Sequence, residues 1–290
     1  MTPTIVSYGE LLWDLLPSGP VLGGAPANLA YRVKSLGYSV ALVSRLGNDA
    51  LGNAAIELLS SHEVDTSFIQ RDLSHPTGTV PVTLDAAGNA SYSITPEVAY
   101  DFIEPSEQLI KTASLCKALC FGTLIQRSPT SQATLYSLIE QAQHAIKVVD
   151  INLRKDCFTA DTVLRSLQVS DVLKLNSDEV SEVCTLLGVA VMAPCEFSKF
   201  VIREFNLSHV LVTRGAEGVY GRSLLGEEVD LPGIPVSVVD TIGSGDAFTA
   251  GFICRTLSGC SFAEACHFGN QLGAAVAQRK GGISPCEIPD

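Results

Sequence analysis

The sequence predicts an α/β fold, a three-layer αβα sandwich in which helices cover both faces of a mostly parallel sheet. The first observation is that short runs rich in β-branched residues alternate with helical patterns through most of the chain. The second is composition: 46% of the 290 residues are hydrophobic and 17% are charged, as in a compact globular protein. We expect one large domain over residues 1–290.

The elements of the main sheet follow in chain order. Residues 4–8 read as a strand, and Leu29, Val33 and Leu36 then fall on one face of a helix. A strand returns at residues 40–44. The other strand candidates are 118–121, 147–150, 172–175 and 210–213, with helix-like stretches such as 130–142 between them. Ligands of open α/β sheets bind beyond the carboxyl ends of the strands, so the residues after these strands form the candidate site.

One region interrupts the alternation. Residues 77–84 and 91–95 are two β-like runs joined by Asp85-Ala86-Ala87-Gly88-Asn89, which predicts a hairpin. Together with the apolar segment 11–16, the hairpin predicts a small separate sheet built from segments at about 11–22 and 76–97. That sheet is either an extension of the main sheet's edge or a lid over the strand ends.

Charge and composition exclude several classes of protein. A net charge of −12 argues against nucleic-acid binding, which depends on neutralising phosphates with lysine and arginine. No segment predicts a membrane span, and residues 1–6 lack the basic start and long apolar stretch of a signal peptide, so we expect a cytoplasmic protein. The nine cysteines include no Cys-x-x-Cys pair, which favours reduced, buried thiols.

The most informative motif is Asp-Thr-Ile-Gly-Ser-Gly-Asp-Ala-Phe-Thr-Ala-Gly at residues 240–251, a glycine-rich turn that runs into an apolar helix. Gly243 and Gly245, with Ser244 between them, leave backbone N–H groups free to face a phosphate at the positive end of the helix. Asp246 is placed to take a proton from an attacking hydroxyl. This is the layout of a phosphoryl-transfer site.

Three other interpretations of this motif were weighed. Ser244 and Asp246 are also favoured residues at a helix N-cap, so the turn is open to a purely structural reading. A Walker A loop is excluded because no lysine follows these glycines. A nucleophile elbow is excluded because Ile242 stands where that motif needs a glycine.

Three segments together carry a family resemblance. They are Gly23-Gly24-Ala25-Pro26-Ala27-Asn28, Leu46-Gly47-Asn48-Asp49 with Gly52, and residues 240–251. In this order and separation they resemble the PfkB (ribokinase-like) family of carbohydrate kinases over essentially the whole chain. Two further runs are similar to the fructokinase branch: Gly9-Glu10-Leu11-Leu12-Trp13-Asp14 and Asp150-Ile151-Asn152-Leu153-Arg154.

The resemblance implies a set of sugar-binding residues. Asp14 and Asn28 are expected to hold sugar hydroxyls beside backbone groups of Gly23 and Gly24, since carboxylates accept from hydroxyls and an amide both donates and accepts. The alternatives are a turn role for Asp14 and a helix-cap role for Asn28.

The run at residues 150–154 supplies the rest of the implied sugar and phosphate contacts. Asn152 is assigned to the substrate, and Arg154 is placed with the catalytic group, near the transferred phosphate or the sugar. An exposed ion pair between Arg154 and Asp156 is the alternative. After Arg154, fructokinases commonly show Leu-Trp where this chain has Cys157-Phe158, which puts the sugar preference in doubt more than catalysis.

The resemblance also implies an ATP site. Asn176 and Glu179 match the family's Asn-x-x-Glu motif, which positions Mg²⁺ largely through water; a capping box at the start of a helix is compatible with this role. Thr213, Gly215 and Gly218 match the nucleotide loop.

The resemblance extends to two further residues of the ATP site and to a potassium site. Arg214, inside the nucleotide loop, either adds a cation or is solvated. Asn270 matches the adenine-side asparagine, or is simply on the polar face of a helix. Asp240, the carbonyl of Ile242 and the segment 281–284 with Ser284 resemble the places where some members bind K⁺.

These features predict an ATP-dependent sugar kinase that uses Mg²⁺ and acts on a primary hydroxyl, with O6 of fructose first among the acceptors. A kinase for ribose, 2-keto-3-deoxygluconate or a nucleoside stays open, as does a catalytically silent sugar-binding regulator. A nicotinamide-dependent dehydrogenase is disfavoured because Gly9-Glu10-Leu11 replaces the Gly-x-Gly-x-x-Gly that should follow the first strand. The small sheet is the candidate surface for a homodimer.

Overall fold

The computed structural model describes residues 4–17, 19–84 and 90–289. Its strands, in chain order, are β1 (Ile5–Tyr8), β2 (Leu12–Leu16), β3 (Gly19–Gly23), β4 (Val40–Gly47), β5 (Ile69–Asp72), β6 (Gly78–Leu84), β7 (Ala90–Tyr92), β8 (Ala118–Gly122), β9 (Ile146–Asp150), β10 (Val172–Asn176), β11 (His209–Thr213), β12 (Val219–Ser223) and β13 (Glu228–Leu231). Its α-helices are α1 (Ala25–Ser35), α2 (Ala50–Ser61), α3 (Glu107–Leu115), α4 (Pro129–Gln141), α5 (Ala160–Val169), α6 (Ser177–Leu186), α7 (Pro194–Phe205), α8 (Ser244–Leu257) and α9 (Phe262–Ala277).

Nine of the described strands form one large sheet in the order β13-β12-β11-β10-β9-β8-β1-β4-β5. Neighbours from β11 through β5 pair in parallel, and the hairpin of β12 and β13 adds an antiparallel edge. Along β1, Ile5 points into one apolar cluster and Val6 and Tyr8 into another on the opposite face. The first cluster includes residues of α1, α2, α8 and α9, and the second includes residues of α3 to α7. The predicted three-layer α/β sandwich is confirmed.

The predicted elements of the main sheet are present, with ends that differ by one or two residues in most cases. The strand predicted at residues 40–44 is longer and continues to Gly47, because its last four residues pair with β5, a polar edge strand that the sequence did not indicate. The helix predicted at 130–142 is α4. None of the described helices is both long enough and apolar enough to cross a bilayer.

The small sheet is separate from the main one, in the order β3-β2-β6-β7. An extension of the main sheet's edge is therefore wrong. β2 pairs with β3 antiparallel and with β6 parallel, while β6 and β7 form the predicted hairpin, whose connection at residues 85–89 lies outside the described residues. The chain enters this sheet from the carboxyl ends of β1 and β5, so the small sheet stands on the side of the main sheet where ligands of α/β proteins bind.

Asp49 ties the small sheet to the large one. Its carboxylate caps α2 by accepting a hydrogen bond from the Gly52 amide at 2.7 Å. The same carboxylate accepts from the Thr77 amide at 2.8 Å and from the Thr77 hydroxyl at 2.7 Å. Because Thr77 immediately precedes β6, one side chain fixes both the start of a main-sheet helix and the start of the small sheet.

Candidate active site

α8 begins in the glycine turn of residues 243–246. Gly243 is its N-cap with φ +79°, and a Cβ added there would lie 2.6 Å from the Cα of Gly282, so only glycine fits. No side chain among the described residues caps this helix end. The amides of Gly245 and Asp246 have no hydrogen-bond partner within the described part of the chain. Two unpaired donors therefore stand at the positive end of the helix dipole, where an anion is favoured.

Asp246 faces a crevice at the carboxyl ends of β1, β8 and β9. Its polar lining also includes Glu10, Asp150, Asn152 and Thr249. Burial raises the pKa of Asp246 to about 6, and the negative charge of Asp150 adds to the rise, while the hydrogen bond from Asn28 and the charges of Lys174 and Arg154 oppose it. The carboxylate is thus a base whose pKa lies close to neutral pH.

Asn28 positions this carboxylate. Its Nδ2 donates to Asp246 Oδ2 at 2.8 Å, across 218 residues of sequence. The side chain is buried inside α1, four residues beyond the N-cap Gly24, so a helix-cap role for Asn28 is wrong. Asn28 Oδ1 and Ser244 Oγ are buried, and neither has a hydrogen-bond partner among the described residues. Unsatisfied buried groups are rare because they cost free energy, and two beside one loop mark a functional site.

Asp14, Gly23 and Gly24, which are assigned to the sugar, lie in the small sheet or between it and α1. Asp14 lies in β2 and not in a turn; its Oδ2 would be 2.7 Å from a Cβ at Gly23 on the neighbouring strand β3. Gly24 has φ +109°, and a Cβ there would lie 2.5 Å from the carbonyl oxygen of Glu10. Burial raises the pKa of Asp14, and the charge of Arg154 opposes the rise.

Asn152 and Arg154 follow β9. Asn152 lines the crevice and adopts the left-handed conformation with φ +43°, which is uncommon outside glycine. Arg154 is exposed and forms no ion pair with Asp156 or with any other described carboxylate. The alternative of an Arg154–Asp156 pair is therefore wrong, and the guanidinium is a cation available to a ligand.

Asn176 and Glu179 form the predicted capping box, an arrangement that is compatible with a metal role. Asn176 Oδ1 accepts from the Glu179 amide at 2.9 Å, and Glu179 Oε2 accepts from the Asn176 amide at 2.8 Å. Glu179 Oε1 also accepts from the Leu153 amide at 2.7 Å. Glu179 thereby joins the start of α6 to the loop that carries Asn152 and Arg154.

The loop after β11 is closed against the segment at 231–233. Gly215 and Gly218 have φ +57° and +92°, and a Cβ at Gly218 would lie 2.1 Å from the carbonyl oxygen of Leu231. Thr213 lies at the end of β11 and starts this loop. Asn270, on α9, donates from Nδ2 to the carbonyl of Pro232 at 3.0 Å.

Arg214 is not free for a nucleotide in this conformation, because it pairs with Asp230 at 2.5 Å and also donates to the Leu231 carbonyl. The solvated, unpaired arginine considered from the sequence is therefore wrong.

The segment at 281–286 packs against the glycine turn. Asp240 accepts from the amides of Ile242 at 3.0 Å and Gly281 at 2.9 Å. Arg32, fully buried on α1, donates to the carbonyls of Gly282 at 3.0 Å and Ser284 at 2.6 Å. α1 therefore makes two contacts with this region. Asn28 donates to the carboxylate of Asp246, and Arg32 donates to carbonyls of the segment at 281–286.

The family model for pfkB carbohydrate kinases matches residues 20–289. The chain belongs to the pfkB family. A fructokinase of Escherichia coli is 30% identical over 265 residues, which cover 87% of this chain and 84% of that protein. Membership makes the chain an ATP-dependent carbohydrate kinase.

Solved structures are similar over almost the whole chain. The fructokinase of Vibrio cholerae O395, in a form with fructose, ADP and calcium ion bound, has a TM-score of 0.82 and 25% identity, covering 98% of this chain and 95% of that one. An uncharacterized sugar kinase of Pyrococcus horikoshii in complex with ATP has a TM-score of 0.81 and 29% identity, covering 96% and 94%.

Four polar residues of this pfkB-family site were not singled out from the sequence. Glu10 is buried at the crevice, and burial raises its pKa to about 7. Asp150, Lys174 and Thr249 lie beneath the glycine turn. Lys174 could have been identified from the sequence, because it is the single charged residue in the strand run Val-Leu-Lys-Leu-Asn and a buried strand rarely carries an isolated charge.

Proposed function

We propose that this pfkB-family kinase transfers the γ-phosphoryl group of ATP to a primary hydroxyl of a monosaccharide, and that the acceptor is fructose, phosphorylated at O6. The observation that carries the proposal is the place of Asp246, which faces the crevice beside the unpaired amides of Gly245 and of Asp246 itself. The fructose assignment is supported by the relatives, since the Escherichia coli protein is a fructokinase and the Vibrio cholerae kinase binds fructose and ADP.

The reaction needs a base and an anion site. Asp246 takes the proton of the sugar hydroxyl while the hydroxyl oxygen forms a bond to the γ-phosphorus. The bond between that phosphorus and the β,γ-bridging oxygen breaks, and ADP leaves with the electron pair. The amides of Gly245 and Asp246 hold the charge on the phosphoryl oxygens, whereas the Ser244 amide donates to the Thr241 carbonyl at 3.2 Å. A pKa of about 6 keeps Asp246 ionised at neutral pH while leaving it a useful proton acceptor.

The sugar is held between the small sheet and α1. We assign its hydroxyls to Asp14, Asn28 and Asn152, with backbone groups of Gly23 and Gly24 alongside. The support is that the charge of Arg154 acts on the pKa of Asp14 and that Asn28 already contacts Asp246. The small sheet serves as the lid and excludes water, which suppresses hydrolysis of ATP without an acceptor.

The nucleotide is assigned to the loop of Thr213, Gly215 and Gly218, with Asn270 on the adenine side. Asn176 and Glu179 would hold Mg²⁺ through water. This fits the described side chains, among which no group of three or more His, Cys, Asp or Glu could hold a metal unaided, so the ion would depend on phosphates and waters for most of its ligands. When bound, Mg²⁺ neutralises phosphate charge.

A potassium ion beside the anion site is a further proposal. Asp240 is the side chain that supports a potassium site, together with the carbonyl of Ile242 and with Ser284 near the end of the chain. Both Asp240 oxygens accept backbone amides, which orients the carboxylate between the turn and the segment at 281–284. Each oxygen keeps a lone pair for an ion.

A coupled assay of ADP release over a panel of fructose, glucose, ribose, 2-keto-3-deoxygluconate and adenosine tests the acceptor. We expect the highest kcat/KM with fructose and phosphorus attached at O6 in the product by NMR. Equal or higher kcat/KM with ribose overturns the fructose assignment. Sugar binding without turnover on any member of the panel indicates the silent regulator instead.

2-Keto-3-deoxygluconate is the second candidate because of one observation. Arg154 is exposed, lies in the site and has no acidic partner in the regions the structure describes, so it is suited to the carboxylate of a sugar acid. If that acid is the substrate, Arg154→Met will raise its KM far more than the KM for fructose.

We also propose that the small sheet forms a homodimer contact. Leu15 of β2 is an exposed large hydrophobic residue on it, and the edge strands of a small sheet favour association. Light scattering after size-exclusion chromatography checks this: wild type is expected at twice the monomer mass and Leu15→Glu at the monomer mass. A monomeric wild type refutes the proposal.

A further inference from the structure

A buried ion pair lies beneath the glycine turn. Lys174 and Asp150 are registered partners on the parallel strands β10 and β9, and Lys174 Nζ lies 3.0 Å from Asp150 Oδ1 and 2.9 Å from Oδ2. The lysine side chain is only 9% exposed and the aspartate 13%. Burying two charges costs desolvation free energy, and apolar residues of similar volume often serve stability as well or better. Stability is therefore a weak reason for this pair.

The pair contacts α8 on both sides of Asp246. A Cβ at Gly245 would lie 2.9 Å from Lys174 Nζ, so the ammonium group is directly under the residue that precedes Asp246. The Thr249 hydroxyl, one turn later on α8, lies 3.4 Å from Asp150 Oδ2 and 3.1 Å from the Gly245 carbonyl oxygen, so its single proton is shared between these two acceptors. The ion pair is thus fitted to the first turn of the helix that carries Asp246.

The charges around Asp246 explain why a pair is needed there. Glu10 and Asp150 line the same crevice, so two further carboxylates face Asp246 from the loop after β1 and from β9. The cations that influence it are Lys174 of β10 and the exposed Arg154, and α1 contributes the uncharged Asn28. Removing the charge of Lys174 would leave three carboxylates against one solvent-exposed cation.

We propose that Lys174 and Asp150 act as a positioning pair whose two charges hold Asp246 ionised and support the phosphate-binding turn at Gly245. The inference rests on the proposed function of Asp246 as the base. Lys174 contributes a fixed positive charge near both the base and the bound phosphate, and Asp150 fixes the ammonium group and limits its effect. Neither residue exchanges a proton with the substrate.

The pair predicts opposite changes in two single variants. In Lys174→Met, Asp150 is an unpaired negative charge beside Asp246, so the acidic limb of kcat/KM for the sugar, at saturating MgATP, moves up by about one pH unit. In Asp150→Asn, Lys174 loses its nearest negative partner and keeps only the more distant influence of Glu179 and of Asp246 itself, so the limb moves down by about one pH unit. The double variant Lys174→Met with Asp150→Asn removes both charges and brings the limb back near the wild-type pH.

A matched control is Lys199→Met, which removes the same charge from an exposed pair with Glu196 on α7 and leaves the limb unmoved. If Lys174→Met does not fold, two measurements still test the proposal. The acidic limb of Asp150→Asn must move to lower pH, and the limb of the double variant must return to the wild-type pH. Limbs that stay at the wild-type pH, or that move in the same direction in both single variants, overturn the proposal. Failure of the proposed function is separate, because wild type would then show no sugar phosphorylation at any pH, or Asp246→Asn would keep the wild-type kcat.

Discussion

Gly282 offers a test of how Asp246 is held in place. Its φ lies outside the left-handed region, so alanine is compatible with the backbone at this position. The added Cβ, however, would lie 2.2 Å from Asn28 Oδ1, 2.4 Å from Cγ and 2.7 Å from Nδ2. The amide of Asn28 must move by about 1 Å to relieve this overlap, and it is buried with little room to do so.

The expected effects of Gly282→Ala follow from that displacement. Overpacking of this kind costs about 1–3 kcal/mol in the free energy of unfolding, which corresponds to a fall in Tm of about 2–8 °C for a protein of this size. The 2.8 Å hydrogen bond from Asn28 to Asp246 is broken or lengthened, and a misplacement of about 1 Å at a reacting group costs about 100-fold in kcat.

The assay combines thermal melting with steady-state kinetics in a double-mutant cycle. Asn28→Ala removes all three overlapping atoms, so adding Gly282→Ala to Asn28→Ala is expected to cost less than about 0.5 kcal/mol more. Gly188→Ala is the control: the site is open but φ is +70°, so it loses stability without losing kcat. Additive losses in the cycle, or wild-type kcat in Gly282→Ala, would refute this reasoning.

Three other perturbations test neighbouring parts of the account. Arg32→Met leaves the Gly282 and Ser284 carbonyls without their donor, so we expect it to lower the free energy of unfolding by about 1–3 kcal/mol and to reduce kcat. The control Arg203→Met, at an exposed position, changes the free energy of unfolding by less than about 0.5 kcal/mol. Equal effects of the two substitutions in urea titrations contradict this prediction. Asp49→Ala removes the cap of α2 and the tether of the small sheet, so about 1–2 kcal/mol of stability is lost and KM for the sugar rises; an unchanged KM argues against a lid role. The pKa of Asp246 is raised in the folded state to about 6, so its protonated form is favoured by folding and its contribution to stability falls as pH rises from about 4 to 6. Asp246→Asn is therefore expected to have a higher Tm than wild type at pH 7.5, and this difference in Tm is smaller at pH 5. A lower Tm for Asp246→Asn at pH 7.5 contradicts the predicted direction of the stability change.

The sequence predicted most of the main sheet because its strands are buried on both faces and read as short apolar runs. β5 was missed because Ile-Gln-Arg-Asp has no apolar alternation, and the extension of β4 to Gly47 depends on pairing with it. The hairpin of β12 and β13 was missed as well. Gly221 interrupts β12, and it is required there because a Cβ would lie 2.9 Å from Phe262.

At the site, local motifs could be read and distant pairings could not. The glycine turn and the capping box of Asn176 and Glu179 are encoded within a few neighbouring residues, and both were predicted. The contact of Asn28 with Asp246 joins α1 to α8, and the pair of Lys174 with Asp150 depends on the register of two strands. Such contacts follow from strand order and helix packing, which a linear pattern does not specify. The roles of these residues in binding and catalysis stay predictions.

The central claim concerns Asp246 as the base, and Asp246→Asn tests it most directly. Asparagine keeps the size of the side chain and an oxygen that can accept from Asn28, but it cannot take a proton from the sugar hydroxyl. We expect the dissociation constant for fructose, measured by calorimetry, to remain within about threefold of wild type and kcat to fall by about 10²–10⁴-fold. A kcat within about twofold of wild type would contradict the account, because another group would then remove the proton.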